Sequence, residues 1–347
     1  MDFENFVDYL EDLYDDLYLY PARRYIRDAD NPMEIYDDDE FQRRYRFRKE
    51  TVLHILLPLV FPNGNRRNNR GLPIPPMIQL IIALRFYATG NFQIVCGDLH
   101  KVSQSVTSKI VAKISHELAL KIRTYVKFPS VEDQSEVKRK FWRIAGFPGL
   151  LGCIDCTHIP IKNPDRQNGE LFRNRHGWFS INVQLVCGPN MEIFDIVARW
   201  PGSVHDSRIF RSSRCCMRFE DRDLSGLLIG DSGYAQTFYM FTPMPNPQTL
   251  PETRYNQAHI STRNIIERVN GVWKRRFACL HRKLQNKLPN TCDIIVACAV
   301  LHNICVQTKQ VLQAEPNVVI QQDMPVHPIN DTERGNLIRA AFINRHF

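Results

Sequence analysis

The sequence lacks any uninterrupted apolar run approaching the ~20 residues that a membrane-spanning helix needs. Its best candidate, Met77–Leu84, stops at Arg85, which argues against a membrane partner. A basic leader is also missing. Met1–Leu13 is acidic, so no secretory signal is expected. No Gly-x-x-x-x-Gly-Lys-Ser/Thr loop occurs, which argues against a P-loop ATPase. The Gly-Asp-Ser-Gly-Tyr at 230–234 lacks the second flank of a nucleophile elbow, so a serine or cysteine nucleophile has no support. Cysteine is present ten times but without regular spacing. In a chain this long, such thiols read as the reduced cysteines of an intracellular protein. Cys153 and Cys156 form the one Cys-x-x-Cys. Zinc would need further ligands at comparable spacing, and strand alternation puts Cys153 and Asp155 on one face with Cys156 on the other. There is no internal repeat and no low-complexity segment.

What is present is a globular composition, 44% hydrophobic and 24% charged, over 347 residues. That length allows two domains or three. The charge is uneven. Residues 1–40 hold 14 acidic and 3 basic residues, and the rest holds 42 basic and 23 acidic, a net of +19 outside the first 40. A basic body of that size suggests a polyanionic partner, most commonly nucleic acid. A solvated basic surface would give the same count, so motifs must decide.

Within the acidic arm, Phe6, Leu10, Leu13 and Leu17 recur at helical spacing. Arg43, Arg44, Arg46, Arg48 and Lys49 precede an apolar helix that Pro58 and Pro62 are expected to end. Residues 63–71 read as a basic loop. The stretch 72–123 reads as all-helical: Met77 to Tyr87, ended near Gly90; Phe92 to His100; and a third helix capped by Ser103, running to about Val126. The last two form a helix-turn-helix pattern, with Gly97 at the small-residue position and Val102 buried in the turn. Gln104, Ser105 and Lys109 lie where recognition helices face DNA, although Lys101 stands where glycine is usual. A plain helical subdomain is the competing reading.

Phe128 to Gly149 reads as a connection. The texture then turns to short β-type runs at Leu150–Ile161, Ser180–Cys187, Ile193–Arg199 and Leu227–Ile229. Helices follow, beginning near Asp206, over about Asn256–Phe277 and over Thr291–Val306, and residues after Lys309 read as a polar tail. Strands followed by helices argue for an α/β core.

Four acids stand out. Asp155 sits within the run Leu150–Ile161, where burial is costly unless the acid is paired or metal-bound. Asp231 ends the Leu227–Ile229 run, and ligands of α/β folds sit at strand ends. Glu267 lies on a helical stripe with Asn256, Ile260, Arg263, Asn270 and Lys274. Asp206 follows a Gly-Ser-Val-His loop. Each has an ordinary alternative: a turn acid for Asp155 and Asp231, an i, i+4 pair with Arg263 for Glu267, and a helix cap by Asp206 or Ser207. Together, acids on separate elements suit a hard divalent cation such as Mg²⁺ and two-ion phosphodiester cleavage.

The ordered motifs GCIDCTHIPIKNP, NVQLVCGPNMEIFDIVARWPGSVHDSRIFRSS, LIGDSGY, YNQAHISTRNIIERVNGVWKRRFACL and ACAVLHNIC resemble the Harbinger transposase-derived nucleases, a group of DDE transposases. The resemblance runs from about Glu40 to Gln307. It implies an α/β fold: an RNase H-like DDE core, a mixed sheet flanked by helices, at 128–310. A helix-turn-helix-like domain at 41–127, an acidic arm at 1–40 and a tail at 311–347 complete the expected layout. It implies a catalytic triad of Asp155, Asp231 and Glu267, with Asp206 as an extra metal ligand and Mg²⁺ or Mn²⁺ as cofactor. The 35 residues between Asp231 and Glu267 match the group's spacing. The expected activity is hydrolysis of DNA phosphodiester bonds, with Arg263, Lys274, Arg275 and Arg276 contacting phosphate. A Myb-like DNA-binding partner and a nuclear, also cytoplasmic, location are further expectations, and assembly of the chain with itself is left open. A domesticated DNA-binding or partner-recruiting protein that keeps the triad unused is the alternative. A carboxylate-pair glycosidase fits the basic charge poorly.

Overall fold

Alternating apolar residues between turn signals become a five-stranded mixed sheet in this structure, a computed structural model that describes residues 31–62, 74–164, 167, 169–310 and 333–347. The helix expected around Phe6–Leu17 and the loop at 63–71 lie outside the described residues. The strands are β1 (Leu150–Pro160), β2 (Ser180–Cys187), β3 (Ile193–Pro201), β4 (Leu227–Ile229) and β5 (Met240–Phe241), in the spatial order β3-β2-β1-β4-β5. β1, β2 and β3 are antiparallel neighbours, whereas β4 runs parallel to β1 and β5 parallel to β4. β2 is buried along its whole length, as a strand covered on both faces must be.

The helices of six or more residues are α1 (Asp38–Tyr45), α2 (Pro76–Thr89), α3 (Gln93–Asp98), α4 (Gln104–Ala119), α5 (Gln134–Ala145), α6 (Asp206–Arg211), α7 (Arg214–Glu220), α8 (Leu250–Arg276), α9 (Leu288–Gln307) and α10 (Glu333–His346). α8 crosses β1 and β2, and α9 packs along both β3 and α4, so the N-terminal helices are joined to the sheet layer through α9. Asn303 anchors this junction: its amide donates to the Ile193 and Tyr125 carbonyls, both at 2.7 Å, and its oxygen accepts from the Ile193 N–H.

Several elements differ from the sequence expectation, each for a local reason. Phe128 to Gly149 is no mere connection. Val137 and Phe141, one helical turn apart, bury the face of α5, and Gly146 (φ +73°) closes it in the left-handed region. α8 begins at Leu250, not near Asn256. Thr249 and Glu252 form a reciprocal capping box there, and Pro251 needs no N–H in the first turn. Pro58 does not end its helix. Val52–Leu56 widens to a π turn ahead of it, which accommodates the missing donor, and the helix runs on to Val60. α9 is 20 residues long and apolar enough by length and composition to cross a membrane, so it, and not Met77–Leu84, is the best candidate for a span. Asp293, His302 and Asn303 break its apolar run, and most of it is buried against β3 and α4. α10 lies in the stretch read as a polar tail. Its Phe342 packs 4.5 Å from Phe241 and 5.6 Å from Phe147, centroid to centroid.

The α3–α4 turn is tight. A Cβ on Gly97 would lie 2.3 Å from the Val102 carbonyl oxygen, so only glycine fits without movement. Lys101 adopts φ +53°, the left-handed conformation a turn glycine would supply. Ser103 holds the N-cap backbone position, but its hydroxyl pairs with Ser105 rather than with a helix N–H. Gln104, Ser105 and Lys109 are exposed.

Candidate active site

Strand order decides which acids meet. Asp155 lies in the middle of β1, Asp231 follows the end of the adjacent parallel β4, and Asp206 opens α6 after β3. Each offers a carboxylate oxygen, and the three oxygens lie within 4.8 Å of one another. Asp206 does not cap α6. His205 takes that position, and Asp206 Oδ1 instead accepts from Asn182 Nδ2 at 2.9 Å. Asp231 Oδ1 accepts from the Gly233 N–H at 3.0 Å, which fixes its turn.

The cluster concentrates negative charge. Burial pushes the Asp155 carboxyl up to about 8, opposed by Arg263 and assisted by the charges of Asp231 and Asp206. Asp206 is likewise raised by burial, opposed by its bond from Asn182. Arg263 is the cation closest to hand. Its guanidinium lies 3.7 Å from Asp155 Oδ2 and donates to Glu267 Oε1 at 2.6 Å. Glu267 is therefore not in the three-oxygen cluster but joined to it through Arg263. The i, i+4 pair with Arg263, the ordinary alternative for Glu267, is therefore formed, and it stands beside the carboxylate cluster. The other oxygen, Glu267 Oε2, is buried without a partner among the described residues, as is Asn182 Oδ1.

The basic residues expected at phosphate part ways. Lys274, two turns beyond Glu267 on α8, donates to the His158 carbonyl at 2.9 Å, and burial lowers its ammonium to about 8 against the pull of Asp155. Arg275 is exposed. Arg276 is buried and its guanidinium donates to the Gln310 carbonyl, so it does not reach the surface as a phosphate contact requires. Gln104, Ser105 and Lys109 sit on α4, away from these acids in sequence and joined to the core through α9. Alternation along β1 holds: Cys153 Sγ faces the Thr262 carbonyl of α8 at 3.6 Å, and Cys156 faces the Tyr234 hydroxyl at 3.4 Å. All ten cysteines are free of disulfides.

Two features of the site escaped the sequence reading. Asn182 positions Asp206, and polar Asn182 and Gln184 inside an otherwise apolar strand were the available signal. The segment 169–179 packs on the loop leading to Asp206. The Leu171 carbonyl accepts from the Ser203 N–H at 3.3 Å and from its hydroxyl at 2.6 Å. A Cβ on Gly202 would lie 2.7 Å from the Phe172 carbonyl oxygen, which explains glycine in that loop.

Three hard carboxylates, one compensating arginine and two orphaned side-chain oxygens form a donor set that could hold a hard divalent cation. A DDE superfamily endonuclease family model matches residues 154–303. The relative named "Putative nuclease HARBI1" in Homo sapiens is 30% identical over 319 residues, covering 89% of this chain and 91% of the relative. Its Mus musculus counterpart is 33% identical over 272 residues, 77% of each chain. "Protein ALP1-like" of Arabidopsis thaliana is 27% identical over 274 residues, 73% of this chain and 66% of the relative. No solved structure matches the chain.

Proposed function

The chain belongs to the Harbinger transposase-derived nuclease family, and on that footing we propose that it is a divalent-metal-dependent DNA nuclease acting through Asp155, Asp231 and Glu267, with Asp206 as a further metal ligand. The observation that carries the proposal is the convergence of Asp155, Asp206 and Asp231 from three separate elements. The order β3-β2-β1-β4-β5, with three antiparallel strands followed by two parallel to β1, supports an RNase H-like core.

Asp155, Asp206 and Asp231 would hold the cation, with the unpartnered Glu267 Oε2 available to complete the set. When bound, Mg²⁺ or Mn²⁺ supplies an activated water and neutralises charge on the phosphoryl oxygens. The chain's own residues do the rest. Asn182 holds the orientation of Asp206. Arg263 orients Glu267 and offsets part of the negative charge on Asp155 before any ion arrives. Lys274 and Arg275 extend the basic strip along α8 and position the phosphate backbone without reading sequence. The exposed Gln104, Ser105 and Lys109 on α4 supply DNA contacts at a distance from the cleavage site. A Myb-like DNA-binding partner and a nuclear location belong to the same proposal.

The test is a Mg²⁺ and Mn²⁺ titration of purified protein against labelled duplex DNA at fixed salt, with binding and cleavage read together. Metal-dependent nicking is expected in the wild type. Asp231→Asn and Glu267→Gln should lose it while keeping the fold. Wild-type-like cleavage by Asp231→Asn would overturn the assignment. Binding without cleavage, equal in all three proteins, would favour a DNA-binding or partner-recruiting protein that keeps its carboxylates unused.

A further inference from the structure

A short hairpin stands beside the carboxylates. Arg173 and Phe179 form an isolated antiparallel bridge, and the Asn174 N–H donates to the Trp178 carbonyl at 2.9 Å. The Asn174 side chain pins the turn from within, accepting from the His176 N–H at 3.0 Å and donating to the Ser180 hydroxyl at 3.2 Å. At the base, the Arg173 guanidinium lies 4.6 Å from the centre of the Phe179 ring. This bracing presents Trp178 in one place. The indole meets the His158 ring edge to face, 5.9 Å between centroids, and stays 37% exposed. That exposure leaves part of the indole open to solvent beside the acids.

Its position relative to the acids follows from strand register. His158 and Asn182 are directly paired across β1 and β2, and Asn182 holds Asp206. Trp178 therefore stands two side chains from a carboxylate of the cluster. Cations surround the same path. The charge of Arg175, immediately before the His176–Gly177 turn, acts on Asp206, and Lys274 is bonded to the His158 carbonyl. A braced, exposed indole flanked by cations is the chemistry that binds unpaired nucleotides, through base stacking beside backbone charge.

Resting on the nuclease reading above, we propose that Trp178 is a stacking platform for an unpaired nucleobase of the DNA strand bordering the carboxylate cluster. Duplex DNA hides its base faces in its own stack, so the platform engages a base that is single-stranded or turned out of the helix. Trp178 thereby gives the site a preference for DNA with an unpaired nucleotide next to the bond to be cut. The remaining basic surface binds paired and unpaired DNA alike.

The experiment uses the full chain in the cleavage-disabled Asp231→Asn background. One probe is a DNA duplex with a short single-stranded overhang carrying 2-aminopurine, and the other is the same duplex fully paired. Quenching of 2-aminopurine on binding is expected with Trp178. Trp178→Ala should lose the quenching and weaken binding of the overhang probe by about 5- to 100-fold, with binding of the paired duplex unchanged. Trp178→Phe should keep most of both, which separates stacking from hairpin collapse. Equal affinity of Trp178→Ala and its parent for the overhang probe would overturn the proposal, as would an equal loss on both probes that Trp178→Phe does not rescue. Failure of the parent to bind either probe would overturn the nuclease reading along with it, whereas intact DNA binding indifferent to Trp178 would remove the platform alone.

Discussion

Replacing Asp206 with asparagine should make the metal-free protein more stable, not less. Asp206 shares a space with Asp155 and Asp231 in which the three oxygens lie within 4.8 Å of one another. At an effective dielectric of about 20, two full charges at that separation repel by roughly 3–4 kcal/mol, and Asp206 takes part in two such pairs. Burial has already raised Asp155 and Asp206, so the pairs are not fully charged and the recoverable part is about 1–3 kcal/mol. The amide is isosteric, and its oxygen still accepts from Asn182. The expected rise in Tm is roughly 1–4 °C for a chain of this size. Metal should reverse the ranking. An ion bound only by the folded state adds about 2.7 kcal/mol at a hundredfold excess over its Kd, and Asp206→Asn should forfeit most of that gain. The assay is thermal unfolding with and without Mg²⁺ or Mn²⁺, with Asp221→Asn, an exposed carboxylate, as the control for general charge. A variant no more stable than wild type without metal, and equally stabilised by it, would refute the picture of three acids held together against their own repulsion.

Five further outcomes follow from the same structure. Asp155 titrates at about 8 in the fold against 3.8 ordinarily, so between those values the folded state keeps a proton that the unfolded state has lost. Metal-free stability should therefore fall as pH rises through this window, and Asp155→Asn should flatten the fall in melts taken from pH 5 to 8. Lys274 is cationic only below about 8, so DNA affinity should weaken as pH rises through that value, and Lys274→Arg should remove the dependence in binding titrations. Arg275→Ala should reduce the salt slope of DNA binding by about 1 with no change in Tm. Arg276→Ala should leave the slope unchanged and cost about 1–3 kcal/mol in unfolding, because it strips a buried bond from Gln310. Gly97→Ala should cost about 1–3 kcal/mol in the same assay, since its Cβ would collide with the Val102 carbonyl oxygen.

Local pattern was enough for much of this protein. Short apolar runs between turn residues marked β2 and β4 at their observed bounds, and strand alternation put Cys153 and Cys156 on opposite faces of β1. Helical spacing found α2, α4 and α9, and the ordered motifs identified the family before any coordinate was known. These are properties of short windows, where backbone geometry alone decides which side chains share a face. Boundaries set by caps were less legible. The Thr249–Glu252 box started α8 earlier than its apolar stripe, and Val137 and Phe141 buried a helix in a segment rich in charge.

The long-range relations needed the tertiary structure. Asp206 reads as a helix cap in its own window, yet β4 inserting beside β1 and α6 returning from β3 bring its carboxylate to Asp155 and Asp231. Arg275 and Arg276 are indistinguishable in sequence, but the 100° turn between them sends one to solvent and the other to Gln310. Glu267 and Arg263 are one helical turn apart by sequence alone, while the approach of Arg263 to Asp155 depends on where α8 crosses β1. The sequence by itself determined the elements, the family and the four candidate acids, because each is written in residues close along the chain. Only the tertiary structure decided which acids share a site and which cations reach the surface, because strand order and helix crossing set those distances between residues far apart in the chain.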